Sequence, residues 1–454
     1  MADLPAMTPA PSIQQTPVAI LLGGKGTRLG LKDRPKPMVD FMGAPLLERA
    51  VRQLVAQGFT DLVFLTGHMG DVIERHFENG ARFGAQIHYV HEDIPLGTAR
   101  ATRAAADHLG SGFVLLYGDV AFDIDLVKFV SQAKAWGGDG TLFVHPNDHP
   151  FDSDLVASDS DTHRIHAFLN KPHSAALQAR NLVNAGLYYL TPNVFDHIPE
   201  GDALFDWGRD VFPNAIRNGA ELYAYRSAEY IKDVGTPDRI VKAEKAVSSG
   251  LVQARSMRHR QRAVFLDRDG VINKEIDGVH RPEQFELLPQ LAQTIAEINR
   301  SHFLSIGITN QPDIAKGFFT FEDLELVLCE MDAQLSEGGA YLDDLYYCPH
   351  HPEAGHEGEV PELKRPCTCR KPAPGMLVKA AEDYNIDLTR SYMIGDRISD
   401  LQAGRAAGCR TIFVHRNAGQ GIEHDTPDAL LALADHVAKD VSEAWALIKK
   451  DDAP

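Results

Sequence analysis

Short apolar runs closed by glycine or acidic residues alternate along this chain with longer stretches in which apolar positions recur every three or four residues. The short runs read as buried strands and the periodic stretches as amphipathic helices. In the first half, strands are expected at 62–66 and 113–117, with helices at 46–57 and 98–109. In the second half, strands are expected near 303–309, 392–395 and 411–414, with helices at 321–335, 375–384 and 399–407. Alternating β and α units predict an α/β chain with parallel sheets covered by helices on both faces, a three-layer αβα arrangement. Such sheets bind ligands at the carboxyl ends of their strands.

The pattern starts twice, with VAILL at residues 18–22 and AVFLD at 263–267. Between them, residues 245–262 (KAVSSGLVQARSMRHRQR) are polar, basic and without apolar periodicity. This reads as a helix end followed by a tether, with the linker at 248–261 and domains at 17–247 and 262–450. Residues 1–16, rich in Pro, Ala and Thr, read as a disordered lead-in.

A length of 454 residues agrees with two or three domains. The composition, 44% hydrophobic and 24% charged, is that of a soluble globular protein. No apolar run approaches the ~20 residues of a membrane helix, and no signal-peptide pattern precedes residue 18, so a cytoplasmic protein without a membrane partner is expected. A formal net charge of -18 argues against a nucleic-acid partner. It leaves room for phosphorylated small molecules, which need only a local cluster of Lys, Arg and amide groups. Three of the five cysteines fall within 348–369, which suggests a metal site in a reducing compartment rather than disulfides. Cys329 and Cys409 lie on helix and strand patterns and read as core thiols.

The first apolar run leads into LLGGKGTRLG at 21–30, followed by RPKPM at 34–38. Gly23, Gly24 and Gly26 leave the backbone bare for amide contacts with a triphosphate, beside Thr27. Arg28 and Lys36 add the positive charge that transfer at an α-phosphate requires. The P-loop spacing is absent. PLGTA at 95–99, YGD at 117–119, NAG at 184–186 and DVGTP at 233–237 follow in order. With these motifs the segment 17–247 resembles the sugar-1-phosphate nucleotidyltransferases, within them the D-glycero-D-manno-heptose 1-phosphate guanylyltransferase group. The resemblance implies a Rossmann-like domain in which Gly97 lies against the base and Arg28 and Lys36 hold the phosphates. It further implies that Asp119 and Asp233 bind Mg²⁺, while Lys171 and Asn184 face the sugar phosphate. Asn170 stands where many relatives carry an acidic residue.

The second run leads into FLDRDGVIN at 265–273, an apolar strand ending in two carboxylates and a glycine. One carboxylate can attack phosphorus while the other protonates the leaving oxygen and later activates water. An anionic nucleophile attacking a phosphate needs a cation between them. ITNQ at 308–311 and CRKP at 369–372 offer phosphate ligands, and YMIGD at 392–396, with Asp400 four residues on, offers carboxylates. Over about 262–416 this motif order resembles the haloacid-dehalogenase-like phosphatases. The resemblance implies nucleophile Asp267, general acid/base Asp269, and Mg²⁺ on Asp267, Asp396 and the carbonyl of Asp269. Thr309, Asn310 and Lys371 would hold the phosphate and Arg370 the substrate. Cys348-x-His350 and Cys367-x-Cys369 suit a tetrahedral structural zinc that pins the loop carrying Arg370 and Lys371. His351 and His356 read as solvated loop residues, with His351 the alternative to His350. This loop narrows the resemblance to heptose 1,7-bisphosphate and histidinol-phosphate phosphatases. Pro312 stands where relatives have a Ser/Gly-rich turn, which it is expected to stiffen.

Together the two resemblances imply two Rossmann-like domains in tandem. A phosphatase taking the 7-phosphate from heptose 1,7-bisphosphate would supply heptose 1-phosphate to a transferase using a nucleoside triphosphate, with GTP preferred. The alternatives are a phosphatase for histidinol phosphate or another sugar phosphate beside a different nucleotide-sugar synthesis, or one half serving only as a binding or regulatory module.

Overall fold

The computed structural model describes residues 13–452 apart from 24–30, 32, 96, 175, 202, 277, 416–429 and 431. Ile13–Gln15 forms a 3-10 turn, and the Thr16 hydroxyl is buried under Lys134 Nζ at 2.8 Å. Residues 13–16 of the segment read as a disordered lead-in are thus ordered, because Thr16 finds a hydrogen-bond partner that composition does not show, and residues 1–12 of it lie outside the described residues.

Val18–Leu21 is the middle of the first sheet, with Val18, Ala19 and Ile20 fully buried. It pairs in parallel with Asp61–Thr66 and with Phe113–Tyr117. Gln86–His91 extends the parallel part beyond Asp61–Thr66. On the other side, Val183–Leu190 runs antiparallel to Phe113–Tyr117 and to Gly140–His145. Leu155–Ser158 and Ile165–Leu169 form an antiparallel pair at the edge. The nine strands found among the described residues thus make a mixed sheet rather than the parallel one expected. The cause is local: Leu155–Ser158, Ile165–Leu169 and Val183–Leu190 follow one another with no helix long enough for a crossover between them.

The second sheet meets the parallel expectation. Its order is Asp344–Cys348, Phe303–Asn310, Arg262–Leu266, Tyr392–Gly395, Arg410–Val414, His436–Ala438, with every pair parallel. Helices Phe321–Glu337, Gly375–Tyr384 and Ile398–Ala407 occupy the expected places. Cys329 and Cys409 are buried core thiols. Both halves are α/β, and among the described residues no helix is long and apolar enough to cross a membrane.

The connector is packed rather than loose. After helix Pro237–Ser248, the short helix Leu251–Ala254 leads into buried Arg255, Ser256 and Met257. The Arg255 guanidinium, 4% exposed, donates to the Asp343 carboxylate at 2.6 Å and to the carbonyls of Asn299 and Phe303, each at 3.1 Å. A basic connector looks solvated when its carboxylate partners lie some 90 residues away in sequence. Core side chains of the two halves, Phe129, Tyr225, Met257, Phe265 and Tyr384 among them, form one continuous cluster. Arg226 crosses the junction to Asp344 at 3.1 Å, and Lys128 Nζ crosses to the carbonyl of Asp383 at 2.5 Å.

Glu229 ties the connector to the first half, its Oε1 accepting the N–H groups of Asp125 at 2.8 Å and Met257 at 2.9 Å. The Ser227 hydroxyl donates to Oε2 at 3.1 Å. Burial raises the Glu229 carboxyl to about 7, against the pull of these hydrogen bonds. A carboxyl whose folded pKa lies above its unfolded value binds more protons folded than unfolded, so stability falls as pH rises from about 4.5 to 7. Glu229→Gln keeps the acceptor and places its amide on Ser227. We expect the variant to gain stability relative to the parent across that window, on the order of 2 kcal/mol by pH 8, measured by urea denaturation at several pH values. Equal pH profiles for the two proteins would refute the assignment.

Candidate active sites

Strand Arg262–Leu266 delivers Asp267 to the carboxyl edge of the second sheet, where its N–H donates to the carbonyl of Ile394 at 3.0 Å. The buried Lys371 ammonium lies 2.7 Å from Asp267 Oδ1, 2.7 Å from Asp400 Oδ1 and 2.9 Å from the carbonyl of Ile308. Burial, together with the neighbouring Asp400 carboxylate, pushes the Asp267 carboxyl up to about 7, with Lys371 opposing the shift. The Asn310 side chain locks Lys371, accepting its N–H at 3.0 Å and donating to its carbonyl at 3.1 Å. Thr309, the other expected phosphate ligand, is buried at the same strand end, with its hydroxyl accepting from Gln311 at 2.9 Å.

Asp269 accepts from Arg268 Nε at 3.1 Å, Asn273 at 3.1 Å and Gln311 at 3.0 Å. Burial alone would raise its carboxyl, but the Arg268 guanidinium and these hydrogen bonds outweigh it and hold the group below the usual range. These contacts favour the ionised form of Asp269. The structure adds Arg268, which no motif reading used, and gives specific contacts to Gln311 and Asp400, which the motifs had marked only as a strand-end amide and a further carboxylate. Asp400 is fully buried and also accepts the N–H of Arg397 at 3.0 Å, capping helix Ile398–Ala407. A Cβ on Gly395 would meet the Asp400 Cβ at 2.2 Å, so the glycine before Asp396 is what lets Asp400 approach. Carboxylate oxygens of Asp267, Asp396 and Asp400 lie within 4.8 Å of one another. An all-oxygen, acidic donor set of that size fits a hard divalent cation such as Mg²⁺.

Asp267, Asp269, Thr309, Asn310, Lys371 and Asp400 line a cleft of about 220 Å³, together with Lys316 and Arg397. Pro312, read as stiffening a turn, instead takes the first position of the short helix Pro312–Ala315, where its missing N–H costs nothing. That turn aims Lys316 at the cleft, 2.9 Å from Asp313.

Cys348, at the end of strand Asp344–Cys348, meets His350, Cys367 and Cys369. Sγ of Cys348 lies 3.5 Å from that of Cys367 and 3.2 Å from that of Cys369, and Nδ1 of His350 lies 3.3 Å from Cys369 Sγ. The edges of a tetrahedral Zn–S/N centre are roughly 3.5–3.8 Å. These donors lie at or somewhat inside that spacing, and three thiols and an imidazole gathered this closely have the chemistry of a closed, structural zinc site. Arg370 Nη1 donates to the carbonyl of His350 at 3.4 Å, tying the expected substrate arginine to this loop. His351 and His356 lie outside the four-donor set.

In the first half, the antiparallel pairing of Tyr230–Asp233 with Val120–Asp123 brings Asp233 beside Asp119. Lys36 forms an ion pair with Asp119 and lies 3.7 Å from Asp233 Oδ1, while Arg239 pairs with the other Asp233 oxygen. Lys36 thus sits on the expected metal carboxylates. Gly24, Gly26, Thr27 and Arg28 lie outside the described residues, and Gly23 ends strand-adjacent backbone against Glu92. Two carboxylates converging on one cation again fit a hard divalent metal. At Gly97 (φ 81°) a Cβ would stand 2.5 Å from the Phe205 backbone, so this glycine is demanded by chain packing.

The register of Val183–Leu190 against Gly140–His145 shifts between Asn184, which pairs with Val144, and Tyr188, with Gly186 at φ 72° inside the bulge. Asn184 Nδ2 donates to the Tyr188 hydroxyl at 3.0 Å, and its Oδ1 is buried without a hydrogen-bond partner among the described residues. The N–H groups of Asn184 and Lys171 bind the Asp154 carbonyl and carboxylate, at 2.9 and 3.1 Å, placing both expected sugar-side residues on one loop system. Asp206, which no motif marked, accepts from the hydroxyls of Thr98 at 2.8 Å and Tyr117 at 3.4 Å.

The folds and sites define a two-part enzyme, a nucleotidyltransferase followed by a phosphatase. The family profile described as nucleotidyl transferase matches residues 18–250, and one described as HAD-hydrolase-like matches 368–444. The D-glycero-β-D-manno-heptose-1,7-bisphosphate 7-phosphatase of Escherichia coli K12 is 40% identical over 192 residues, covering 42% of this chain and 96% of the relative. Among solved structures, HddC from Yersinia pseudotuberculosis is 26% identical, covering 51% of this chain and 100% of its own, with a TM-score of 0.45. A D,D-heptose 1,7-bisphosphate phosphatase from B. bronchiseptica, complexed with magnesium and phosphate, is 30% identical, covering 42% and 99%, with a TM-score of 0.35. The chain belongs to the nucleotidyl transferase family and, through its second half, to the heptose-bisphosphate phosphatase family: it is a fusion of the two enzyme classes.

Protein prepared without chelator should carry about one zinc per chain, measured by mass spectrometry. Cys367→Ser should lose the zinc and most phosphatase activity, whereas Asp267→Asn should lose activity and keep the zinc. A zinc-free wild-type protein with full phosphatase activity would contradict the site.

Proposed function

We propose that the second half removes the 7-phosphate of D-glycero-D-manno-heptose 1,7-bisphosphate, and that the first half joins the resulting heptose 1-phosphate to the nucleotidyl group of GTP, releasing pyrophosphate. The observation that carries this is the phosphatase likeness, 40% identity over 96% of a heptose 1,7-bisphosphate 7-phosphatase, on the same chain as a nucleotidyltransferase. The product of the first reaction keeps an anomeric phosphate, the group that the second reaction consumes. Preference for guanine rests on the sequence resemblance alone.

In the phosphatase, the Asp267 carboxylate attacks phosphorus to form an aspartyl phosphate while Asp269 protonates the departing sugar oxygen. Water, losing its proton to Asp269, then cleaves the acyl phosphate. The free site favours the ionised form of Asp269, so it must take its proton as the phosphate dianion arrives, when like charge raises its affinity. Lys371 and the Thr309–Asn310 strand end receive the transferring phosphoryl oxygens. Asp267, Asp396 and the Asp269 carbonyl would hold Mg²⁺, which would supply the charge neutralisation that attack of one anion on another needs. Lys316 and Arg397, which line the cleft, are the cations available to a second anionic group of the substrate, and Arg370 would reach it from the adjoining loop. In the transferase, Lys36 and Arg28 hold the triphosphate, Asp119 and Asp233 hold Mg²⁺, and Lys171 and Asn184 orient the sugar phosphate for attack on the α-phosphorus.

Heptose 1,7-bisphosphate supplied with GTP, ATP, CTP, UTP or dTTP in separate reactions should yield phosphate in all five and a nucleotide sugar with GTP. Asp267→Asn should abolish phosphate release by at least about 10³-fold and leave transfer from heptose 1-phosphate intact, with Asp119→Asn the reverse. Turnover of histidinol phosphate but not the heptose bisphosphate would refute the substrate assignment, and one substitution silencing both activities would refute two independent sites.

A further inference from the structure

The loop system that carries Lys171 and Asn184 is held in place by the phosphatase half. Asp332 lies on the inward face of helix Phe321–Glu337 and is 7% exposed. Its Oδ2 accepts from Arg180 Nε at 2.7 Å and from the main-chain N–H of Asn181 at 3.0 Å. Glu325, two turns earlier on that helix, lies 3.4 Å from Arg180 Nη1. Arg180 and Asn181 belong to the transferase half and immediately precede strand Val183–Leu190, whose second residue is Asn184.

From Asn181 the order propagates through named bonds. Its side chain accepts the N–H of Asn147 at 3.1 Å and donates to the Asn147 carbonyl at 2.7 Å. Asn147 in turn donates to the Ser153 hydroxyl at 3.1 Å and accepts the N–H of His149 at 2.9 Å. The Ser153 carbonyl meets His173 at 2.7 Å, and the neighbouring Asp152 carbonyl accepts from Lys171 Nζ at 2.7 Å. Asp154 closes the circuit by binding the N–H groups of both Lys171 and Asn184. Apart from the 3-10 turn Pro150–Asp152, residues 146–154 and 170–174 have no helix or strand to order them. Their geometry therefore depends on these side-chain anchors, and the chain of anchors ends on Asp332.

We infer that Asp332 is a positioning residue for the transferase: a carboxylate of the phosphatase half that preorganises the loops receiving the acceptor sugar phosphate. The inference rests on the assignment of Lys171 and Asn184 to that acceptor. Loss of the anchor makes the sugar phosphate order these loops as it binds, so the cost falls on acceptor affinity. Groups at the nucleotide, on Lys36, Asp119 and Asp233, are anchored separately.

Both contacts fall on one oxygen of Asp332, which shapes the test. An asparagine there keeps an acceptor in place and loses only the charge, whereas an alanine removes both bonds. In the full-length protein, Asp332→Ala should raise KM for the sugar 1-phosphate by about tenfold or more, with kcat and KM for the nucleotide changed less than about twofold. Asp332→Asn should recover most of the loss. Phosphate release by the same preparations should match wild type, which shows that the helix is still folded. Asp344→Asn, which weakens a different junction ion pair, to Arg226, should leave the acceptor KM unchanged. An unchanged acceptor KM in Asp332→Ala overturns the inference, as does an equal rise in Asp344→Asn or a parallel loss of phosphatase activity. If wild-type protein transfers no nucleotide at all, the transferase reading fails instead, and the two failures are thereby told apart.

Discussion

The phosphatase site depends on one buried ammonium. Asp267 and Asp400 both occupy the dry floor of the cleft, and two carboxylates that close in low dielectric cannot both ionise without a cation. Lys371 supplies it, and its own burial is tolerable only because three oxygens surround it. Position follows from this requirement. The Asn310–Lys371 amide pair fixes the backbone, and the adjoining Cys369 and Arg370 belong to the cysteine–histidine loop. A metal bound there would act on catalysis through the placement of Lys371, without touching substrate.

The transferase uses the same device at a wetter site. Lys36 lies between Asp119 and Asp233 as Lys371 lies between Asp267 and Asp400. The difference is exposure: Asp119 and Asp233 side chains are 29% and 43% accessible, against 8% and 1% for Asp267 and Asp400. Screening by water makes the Lys36 contacts weaker than those of Lys371. In the phosphatase the lysine is a fixture, and the incoming phosphate must fit around it.

The parts of this arrangement legible in the sequence were those made by neighbours along the chain. The D-x-D strand end, the C-x-H and C-x-C pairs and the parallel second sheet all follow from local spacing, and the geometry brings them together. What escaped was built by distant pairings. Asp400 was visible four residues after Asp396, but its contact with Lys371 depends on the absent Gly395 side chain. Asp206 joins Thr98 and Tyr117 across more than a hundred positions in the Thr98 case, and no motif spans that distance. The mixed first sheet was missed because strand-by-strand reading cannot tell a crossover from a direct return. The connector looked like a tether because Arg255 and its partners Asp343, Asn299 and Phe303 come together only once the second half has folded.

That connector bears on why the halves are one chain. A flexible tether would raise the local concentration of a small intermediate only modestly, since the intermediate diffuses freely once released. The junction found here is instead a continuous core with desolvated ion pairs, Arg255–Asp343, Arg180–Asp332 and Arg226–Asp344. Buried pairs of this kind contribute little net stability, because desolvation offsets most of their attraction. Their cost is recovered as orientation, since each is satisfied in a single docking geometry. Two of the three lead onward to functional elements: Asp332 to the loops around Asn184, and Arg255, through the packed connector, toward strand Arg262–Leu266 and Asp267. Selection for a fixed orientation, more than for proximity, is what this distribution of buried charge explains.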